Sequence, residues 1–272
     1  MIVFPPAKIN LGLNVTEKRP DGYHNLETIF YPIPLEDMLE VVVDTDLRTD
    51  YVLKQTGLAV QGEAEDNLII KALRLLKKEF DIPPVRIYLH KLIPSGAGLG
   101  GGSSDAAYML RVLKELFDLP LSTSQLEAYA SQLGADCAFF IQAQPTFATG
   151  IGNVFTPIAL SLAGYQLFLT KPELFISTAM AYGNIIPAQP QLSLQEICKL
   201  PVSDWKTKMV NDFEEPIFQV YPDLQAIKDS LYESGAEYAA MSGSGSSIFG
   251  LFKGKCPLVP RAEKNEYILD LK

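Results

Sequence analysis

A glycine-rich stretch over residues 94–104 has the residue types and spacing of an anion-binding loop. It reads Pro-Ser-Gly-Ala-Gly-Leu-Gly-Gly-Gly-Ser-Ser, and a helical pattern follows it. Glycine lets backbone N–H groups approach a ligand without a Cβ in the way, and the first amides of a helix have no partner inside it. Those amides and the helix dipole favour an anion. We therefore predict a phosphate-binding loop, with Ser103 or Ser104 capping the helix. A flexible hinge is the alternative.

The order of residues excludes a Walker loop. Gly96-x-Gly98-x-x-Gly101 does match the Gly-x-Gly-x-x-Gly pattern, but the surrounding sequence argues against both a Rossmann loop and a protein-kinase loop. A Walker loop requires a lysine after its last glycine, and no lysine occurs between Lys91 and Lys114. A Rossmann loop requires an acidic residue after a second strand, whereas Glu115 and Asp118 fall on or just after the same helix. The His-Arg-Asp and Asp-Phe-Gly elements of protein kinases do not occur.

Other residues whose side chains could take part in catalysis or binding lie far from this loop in the sequence. Lys8 and Asn10 share one face of an alternating strand, and Asp136 follows the glycine that ends a helix. Tyr23 and His24 follow an Asp-Gly turn, which presents an aromatic ring and an imidazole at a loop tip. From the residues alone, a strand lysine facing water, a solvated carboxylate and a packed aromatic ring remain alternatives.

Composition narrows the class of protein. The net charge of −9 over 272 residues argues against a nucleic-acid partner, and 47% hydrophobic residues are ample for a core. We read no signal peptide and expect no membrane span. The three cysteines lack a Cys-x-x-Cys pair, which predicts free thiols in a reducing cytoplasm, and two histidines make a zinc site improbable.

Hydrophobic periodicity predicts an α+β fold, because helices and strands mix without a βαβ rhythm. In the first part of the chain we predict strands over 8–15, 27–33, 39–44, 51–60, 85–90 and 139–141, and helices over 67–80 (capped by Asp66), from the loop to 117, and 124–134. Later we predict a strand over 165–170, a short helix capped by Ser177, a helix over 222–233, and a strand, tight loop and strand over 238–252. We place a domain change near residues 161–164, dividing the chain into domains 1–160 and 161–272.

Three ordered motifs resemble those of the GHMP small-molecule kinases. The glycine loop resembles their signature loop, residues 6–11 (Pro-Ala-Lys-Ile-Asn-Leu) resemble their N-terminal motif, and residues 241–249 (Met-Ser-Gly-Ser-Gly-Ser-Ser-Ile-Phe) resemble their C-terminal glycine motif. The resemblance implies a two-domain fold, with an N-terminal domain like domain 2 of ribosomal protein S5 and a C-terminal ferredoxin-like α/β plait. Further similar stretches are 19–24, 66–69, 134–136 and 211–214, whereas residues 185–209 and the tail after 253 match nothing.

The finer details resemble the members of this superfamily that act on a cytidine-diphosphate substrate. They imply phosphoryl transfer from ATP to the 2-hydroxyl of 4-diphosphocytidyl-2-C-methyl-D-erythritol, a step of non-mevalonate isoprenoid synthesis. The resemblance makes Asp136 the base that accepts the hydroxyl proton and Lys8 its cationic partner. ATP is then bound by Asn67, near the adenine, and by Pro94, Ser95, Gly96, Ala97, Gly98, Leu99, Gly100, Gly101, Gly102, Ser103 and Ser104.

The same resemblance implies a site for the cytidyl substrate and a metal. Asn10 is expected to bond the diphosphate, Tyr23 to stack on cytosine and His24 to bond its edge, with Thr178 and Tyr182 on the other side of the base. Mg²⁺ is implied by the use of ATP, but its ligands are not apparent. We expect a cytoplasmic monomer or weak homodimer. The alternatives are a homoserine or mevalonate type of kinase, or a silent nucleotide-binding member.

Overall fold

The chain forms two compact units in a computed structural model, which describes residues 1–59, 62–183 and 185–272. The first unit comprises residues 1–7, 35–95 and 100–143, and the second comprises residues 8–34, 96–99 and 144–272. The strands are β1 (Ile2–Val3), β2 (Pro6–Lys18), β3 (His24–Glu36), β4 (Met38–Val43), β5 (Tyr51–Gly57), β6 (Val85–Lys91), β7 (Thr146–Thr149), β8 (Val154–Pro157), β9 (Tyr165–Thr170), β10 (Tyr238–Met241), β11 (Ile248–Lys253) and β12 (Glu266–Asp270). The helices are α1 (Leu68–Lys77), α2 (Gly101–Leu116), α3 (Thr123–Leu133), α4 (Phe139–Gln142), α5 (Thr178–Gly183), α6 (Leu194–Ile197), α7 (Glu214–Val220) and α8 (Pro222–Glu233), with 3₁₀ helices at Ala64–Asp66, Val202–Thr207 and Ala262–Lys264.

The first unit is a sheet in the order β1-β4-β6-β5 with helices packed against it. Strand β6 pairs antiparallel with β4 and parallel with β5. Its residues Val85, Ile87 and Leu89 are buried, as their alternation predicts. Because β6 ends at Lys91 and α2 begins at Gly101, the glycine loop joins the end of a strand to the start of a helix.

The second unit contains two four-stranded antiparallel sheets. One has the order β2-β3-β7-β8 and the other β10-β11-β9-β12, with α8 packed on β10 and β11. Strand β2 is buried along most of its length, so the side chains on both of its faces are removed from water. A strand buried on both faces does not show a clean polar side, which explains why the polar residues of β2 must be paired within the protein.

Several elements agree with the sequence-based predictions. Strand β9 and helix α8 have the predicted bounds, and β10 and β11 flank the predicted tight loop. Ser177 does cap α5, because its Oγ accepts from the backbone N–H of Met180. The α+β class is therefore confirmed. The division at residue 160 stays a prediction about domains along the chain, since the two compact units are each built from separated segments.

Three local predictions were wrong. Residues 139–141 form helix α4 rather than a strand, because a three-residue apolar run does not distinguish the two. Helix α2 is preceded by Gly100 at φ +72°, with no side-chain cap, so Ser103 and Ser104 lie inside its first turn. Asn67, not Asp66, caps α1, since its Oδ1 accepts from the backbone N–H of Ile69 at 3.0 Å.

The strand predicted over 51–60 ends at Gly57, and its last predicted position, Val60, lies outside the described residues. Within the described ranges, no helix is both long and apolar enough to cross a bilayer.

Candidate active site

Lys8 is buried on β2, so the alternative of a lysine facing water does not hold. Its Nζ donates to Asn10 Oδ1 at 2.6 Å and to the carbonyl oxygen of Gly98 at 2.9 Å. It also lies 5.0 Å from the centroid of the Phe30 ring. Asn10 in turn donates from Nδ2 to Thr28 Oγ1 at 2.9 Å. An ammonium held by two oxygens and a ring face has a fixed position, which suits the stabilisation of developing negative charge.

The carbonyl oxygen of Gly98 is shared with the C-terminal glycine motif. Ser242 Oγ donates to this oxygen at 2.9 Å and accepts from the backbone N–H of Asn10 at 3.2 Å. Gly98 has φ +75°, and an ideal Cβ on it would lie 2.0 Å from the carbonyl oxygen of Ser242, so only glycine permits this approach. The N-terminal motif, the glycine loop and the C-terminal glycine motif therefore converge on one carbonyl oxygen.

A pair of stacked rings lies elsewhere in the second unit. His24, the first residue of β3, stacks on Tyr182 of α5 with ring centroids 4.9 Å apart and an interplanar angle of 21°. Thr178 lies on the same helix as Tyr182, and Tyr23 is 63% exposed in the preceding turn. Its backbone N–H donates to Asp21 Oδ1 at 3.1 Å, which fixes the turn. The structure thus brings His24 and Tyr182 together and leaves the Tyr23 ring open to solvent.

In the first unit, the start of α2 offers backbone donors. The amides of residues 101–103 have no acceptor inside the helix, since the first intrahelical bond is from Ser104 N to the carbonyl oxygen of Gly100 at 2.9 Å. Ser104 Oγ is buried without a hydrogen-bond partner. Orphaned donors at a helix N-terminus are the chemistry that a phosphate requires, so the residues present fit a nucleotide triphosphate.

A cavity of about 260 Å³ lies next to this helix start, and its walls include Asn67, Ser95 and Gly102. Ser95 belongs to the glycine loop, whereas Asn67 caps α1 through its Oδ1, which leaves its amide nitrogen for other contacts. The cavity places the residue predicted to lie near adenine beside the residues predicted to bind the phosphates.

Lys91 and Asp105, which line the cavity, belong to a buried ion cluster. Lys91 Nζ donates to Asp37 Oδ2 and, at 2.6 Å, to Asp105 Oδ2, and all three residues are buried. Asp37 Oδ1 also accepts from the backbone N–H groups of Leu92 and Ile93 at 2.6 and 2.9 Å. Burial raises the pKa of Asp105 to about 7 in spite of the nearby ammonium. The cluster fastens the end of β6 and the start of α2, between which the glycine loop runs.

Asp136 lies in the turn between α3 and α4, half-buried, directly before Cys137. Burial raises the pKa of the Cys137 thiol to about 11, which keeps it protonated and unreactive. Within the described residues, no group of three or more acidic, histidine or cysteine side chains is arranged to hold a metal ion.

Sequence reasoning missed several residues that position the predicted site residues within each unit. Thr28 and Ser242 were not singled out, although the second glycine motif around Ser242 was visible in the sequence. Asp37 and Lys91 carry no local signal, because a lone aspartate in a turn and a strand lysine are common surface residues.

Two family models match the chain. GHMP kinases N terminal domain matches residues 67–144, and GHMP kinases C terminal matches residues 194–256. A curated relative from Bacteroides fragilis, 4-diphosphocytidyl-2-C-methyl-D-erythritol kinase, is 62% identical over 252 residues, which cover 93% of this chain and 92% of the relative. A protein of the same name from Cytophaga hutchinsonii is 45% identical over 94% of this chain and 93% of its own length.

Solved kinase structures are also similar to this chain. A crystal structure of 4-(cytidine 5'-diphospho)-2C-methyl-D-erythritol kinase matches with a TM-score of 0.83 and 34% identity, covering 100% of this chain and 99% of the other. Homoserine kinase from Cytophaga hutchinsonii matches with a TM-score of 0.70 and 19% identity, over 94% and 85% of the two chains. The second likeness concerns the fold alone.

Proposed function

The chain belongs to the GHMP kinase family, and on that basis we propose that it phosphorylates the 2-hydroxyl of 4-diphosphocytidyl-2-C-methyl-D-erythritol with ATP, in non-mevalonate isoprenoid synthesis. The two-domain fold predicted from the resemblance is confirmed by the family models and the solved kinase structure. The observation that carries the proposal is the convergence of Lys8 and Ser242 on the carbonyl oxygen of Gly98, because it joins three kinase motifs at one atom.

ATP supplies the phosphoryl group, and the residues of the chain bind and orient both substrates and stabilise the charge that develops during transfer. The amides at the start of α2 and residues 94–104 bind the phosphates, and Asn67, which lines the adjoining cavity, lies near the adenine in this proposal. Lys8 offsets the charge that builds on the transferred group, and its hydrogen bonds to Asn10 and Gly98 hold it in place. We propose that Asp136 accepts the proton of the substrate hydroxyl.

Mg²⁺ is part of this proposal. Mg²⁺ in kinases is bound through substrate phosphates together with one or two protein carboxylates and water, rather than by a dedicated cage of side chains. The lack of a three-residue cluster among the described residues is compatible with that mode. The ion supplies charge neutralisation at the phosphates when it is bound.

Recognition of the cytidyl group is assigned to the aromatic residues of the second unit. Tyr182 presents a ring already held between His24 and Phe213, and Tyr23 offers an exposed ring in the neighbouring turn. Stacking of a base on an aromatic ring contributes about 1–3 kcal/mol. Asn10 is predicted to bond the diphosphate, and its contact with Lys8 adds a role in orienting the ammonium. A cytoplasmic location and a monomer or weak homodimer complete the proposal.

The substrate assignment is tested by measuring ADP release with Mg-ATP and one acceptor at a time: the cytidyl alcohol, homoserine or mevalonate. We expect release only with the cytidyl alcohol, because the other acceptors carry no base to stack. Release with homoserine or mevalonate instead would favour the corresponding alternative kinase, and release with none would favour a silent nucleotide-binding protein.

Asp136→Asn tests the catalytic assignment. We expect the variant to bind nucleotide like the wild type and to lose turnover by orders of magnitude, because the amide cannot accept the proton. Asp81→Asn, at an exposed carboxylate of the same unit, is the control and should leave turnover unchanged. Unchanged turnover in Asp136→Asn would remove this residue from the mechanism.

A further inference from the structure

The segment 211–214 (Asn-Asp-Phe-Glu) is one of the stretches that resemble the kinase family, yet no role follows from that resemblance. It follows the 3₁₀ helix at Val202–Thr207 and leads into helix α7, of which Glu214 is the first residue. Asn211, Phe213 and Glu214 are buried, and Asn211 forms an isolated parallel bridge with Leu13 of β2. Buried polar side chains outside regular structure are retained where they satisfy specific partners.

Asn211 holds the backbone on both sides of Ser242. Its Nδ2 donates to the carbonyl oxygens of Met241 at 2.8 Å and Gly243 at 2.9 Å, and its Oδ1 accepts from the backbone N–H of Phe213 at 3.0 Å. Ser242 is the residue whose Oγ donates to the carbonyl oxygen of Gly98. The position of that oxygen, which also accepts from Lys8, therefore depends on Asn211.

The two acidic residues of the segment fasten the neighbouring strands. The backbone N–H of Asp212 donates to the carbonyl oxygen of Leu13 at 2.8 Å, and its carboxylate accepts from the backbone N–H of Val15 at 2.7 Å. Both contacts fix β2, the strand that carries Lys8. Glu214 accepts from the backbone N–H of Met241 at 2.7 Å and pairs with Lys228 at 2.5 Å. Burial raises the pKa of Glu214, in spite of that pairing.

Phe213, the remaining residue of the segment, contacts Tyr182 of the stacked His24–Tyr182 pair. Its ring packs edge-on against Tyr182, with centroids 4.9 Å apart and an interplanar angle of 84°. The ring of Tyr182 also stacks on His24. Phe213 therefore fixes the tilt of the ring that is assigned to the cytidyl base, and it makes no hydrogen bond to the Ser242 loop through its side chain.

We propose that Asn211 and Phe213 are positioning residues for two separate parts of the reaction. Asn211 sets the Ser242–Gly98–Lys8 contacts on which phosphoryl transfer depends. Phe213 sets the Tyr182 ring on which binding of the cytidyl group depends. This inference rests on the proposed function, since it assigns one residue to turnover and its near neighbour to substrate affinity.

The test is steady-state kinetics of the full chain with Mg-ATP and the cytidyl alcohol. Asn211→Leu keeps a similar side-chain volume and removes both hydrogen bonds that Nδ2 donates. Asn211→Ser is a second variant, in which the small polar side chain leaves room for a water molecule. We expect both to lower kcat by about tenfold or more, with the KM for the cytidyl alcohol within twofold of the wild type. Phe213→Leu should raise that KM by about three- to tenfold, with kcat within twofold.

Leu231→Ala is the matched control, because Leu231 is buried on α8 in the same unit and makes neither set of contacts. It should lower the thermal midpoint while leaving both kinetic parameters within twofold. If the Asn211 variants and Phe213→Leu change kcat and KM in the same proportion, or only lower the thermal midpoint, the inference is refuted and the proposed function stands. A wild-type chain that does not act on the cytidyl alcohol would refute the proposed function and this inference with it.

Discussion

Gly98→Ala tests the close approach of the Gly98 backbone to the Ser242 backbone in the candidate site. Gly98 has φ +75°, and an ideal Cβ there would lie 2.0 Å from the carbonyl oxygen and 2.9 Å from the carbonyl carbon of Ser242. Both atoms belong to backbone, which cannot rotate away as a flexible side chain can. The new methyl group therefore has to push the glycine loop away from the Ser242 loop.

The magnitude follows from what that movement removes. Alanine at positive φ costs about 1–2 kcal/mol. The carbonyl oxygen of Gly98 also loses the hydrogen bond from the Lys8 ammonium, about 1.5–3 kcal/mol, and the one from Ser242 Oγ, about 0.5–1.5 kcal/mol. We expect the free energy of unfolding to fall by roughly 3–6 kcal/mol, which for a chain of 272 residues corresponds to a thermal midpoint about 5–10 °C lower.

The assay is thermal unfolding followed by circular dichroism, together with turnover at a temperature where the variant is folded. Turnover should fall by about 100-fold or more, because the ammonium of Lys8 loses its hydrogen bond to the carbonyl oxygen of Gly98. Gly102→Ala is the control: it lies within α2, and an added Cβ meets nothing within 4 Å. That variant should gain up to about 1 kcal/mol from helix propensity.

A Gly98→Ala protein that unfolds within 2 °C of the wild type and keeps its turnover would refute this reasoning. Such a result would mean that the two glycine loops do not approach each other as the Gly98 and Ser242 backbones indicate. Equal destabilisation by Gly98→Ala and Gly102→Ala would point instead to a general intolerance of side chains in the loop.

Three further predictions concern the two units separately. Burial raises the pKa of the Asp105 carboxyl to about 7, so the protonated carboxyl stabilises the folded state at low pH, and this stabilisation is lost as the pH rises from about 4 to 8. Asp105→Asn lacks this pH dependence, and its free energy of unfolding should therefore rise relative to that of the wild type over the same range. Urea unfolding at pH 5 and 8 measures this gain, and an equal difference at both pH values would contradict it. Asn67→Ala should lose about 1 kcal/mol of stability, because it lacks the side chain that caps α1. Asn67→Asp should keep the cap and its stability, so that a change in its ATP affinity, measured by calorimetry, reports the contact with the nucleotide alone. An equal loss of stability in both variants would refute the cap assignment. Trp205→Ala should lose about 3–5 kcal/mol in urea unfolding, because Trp205 is fully buried, packs edge-on against Tyr238 and donates from Nε1 to the carbonyl oxygen of Leu200; a loss below 1 kcal/mol would show that the site collapses around the cavity.

The sequence by itself determined the chemistry and most of the local structure. The five glycines of the loop and the two serines that follow them predicted phosphate binding, and the order of three motifs predicted the kinase family, which the comparisons confirmed. Helix α8 and strand β9 were predicted to the residue, because proline, glycine and hydrophobic periodicity act over a few positions. Where two local signals were equal, as at residues 139–141, the sequence could not choose between helix and strand.

Only the tertiary structure decided which distant residues share a contact. Lys8 and Ser242 bond to the same carbonyl oxygen of Gly98, although they are 90 and 144 residues from it along the chain. The burial of Lys8, the pairing of Lys91 with two aspartates and the bonds of Asn211 to both sides of Ser242 depend on strand register and packing. Local patterns encode none of these, because a polar residue on a strand has the same local signature whether it faces water or a buried partner.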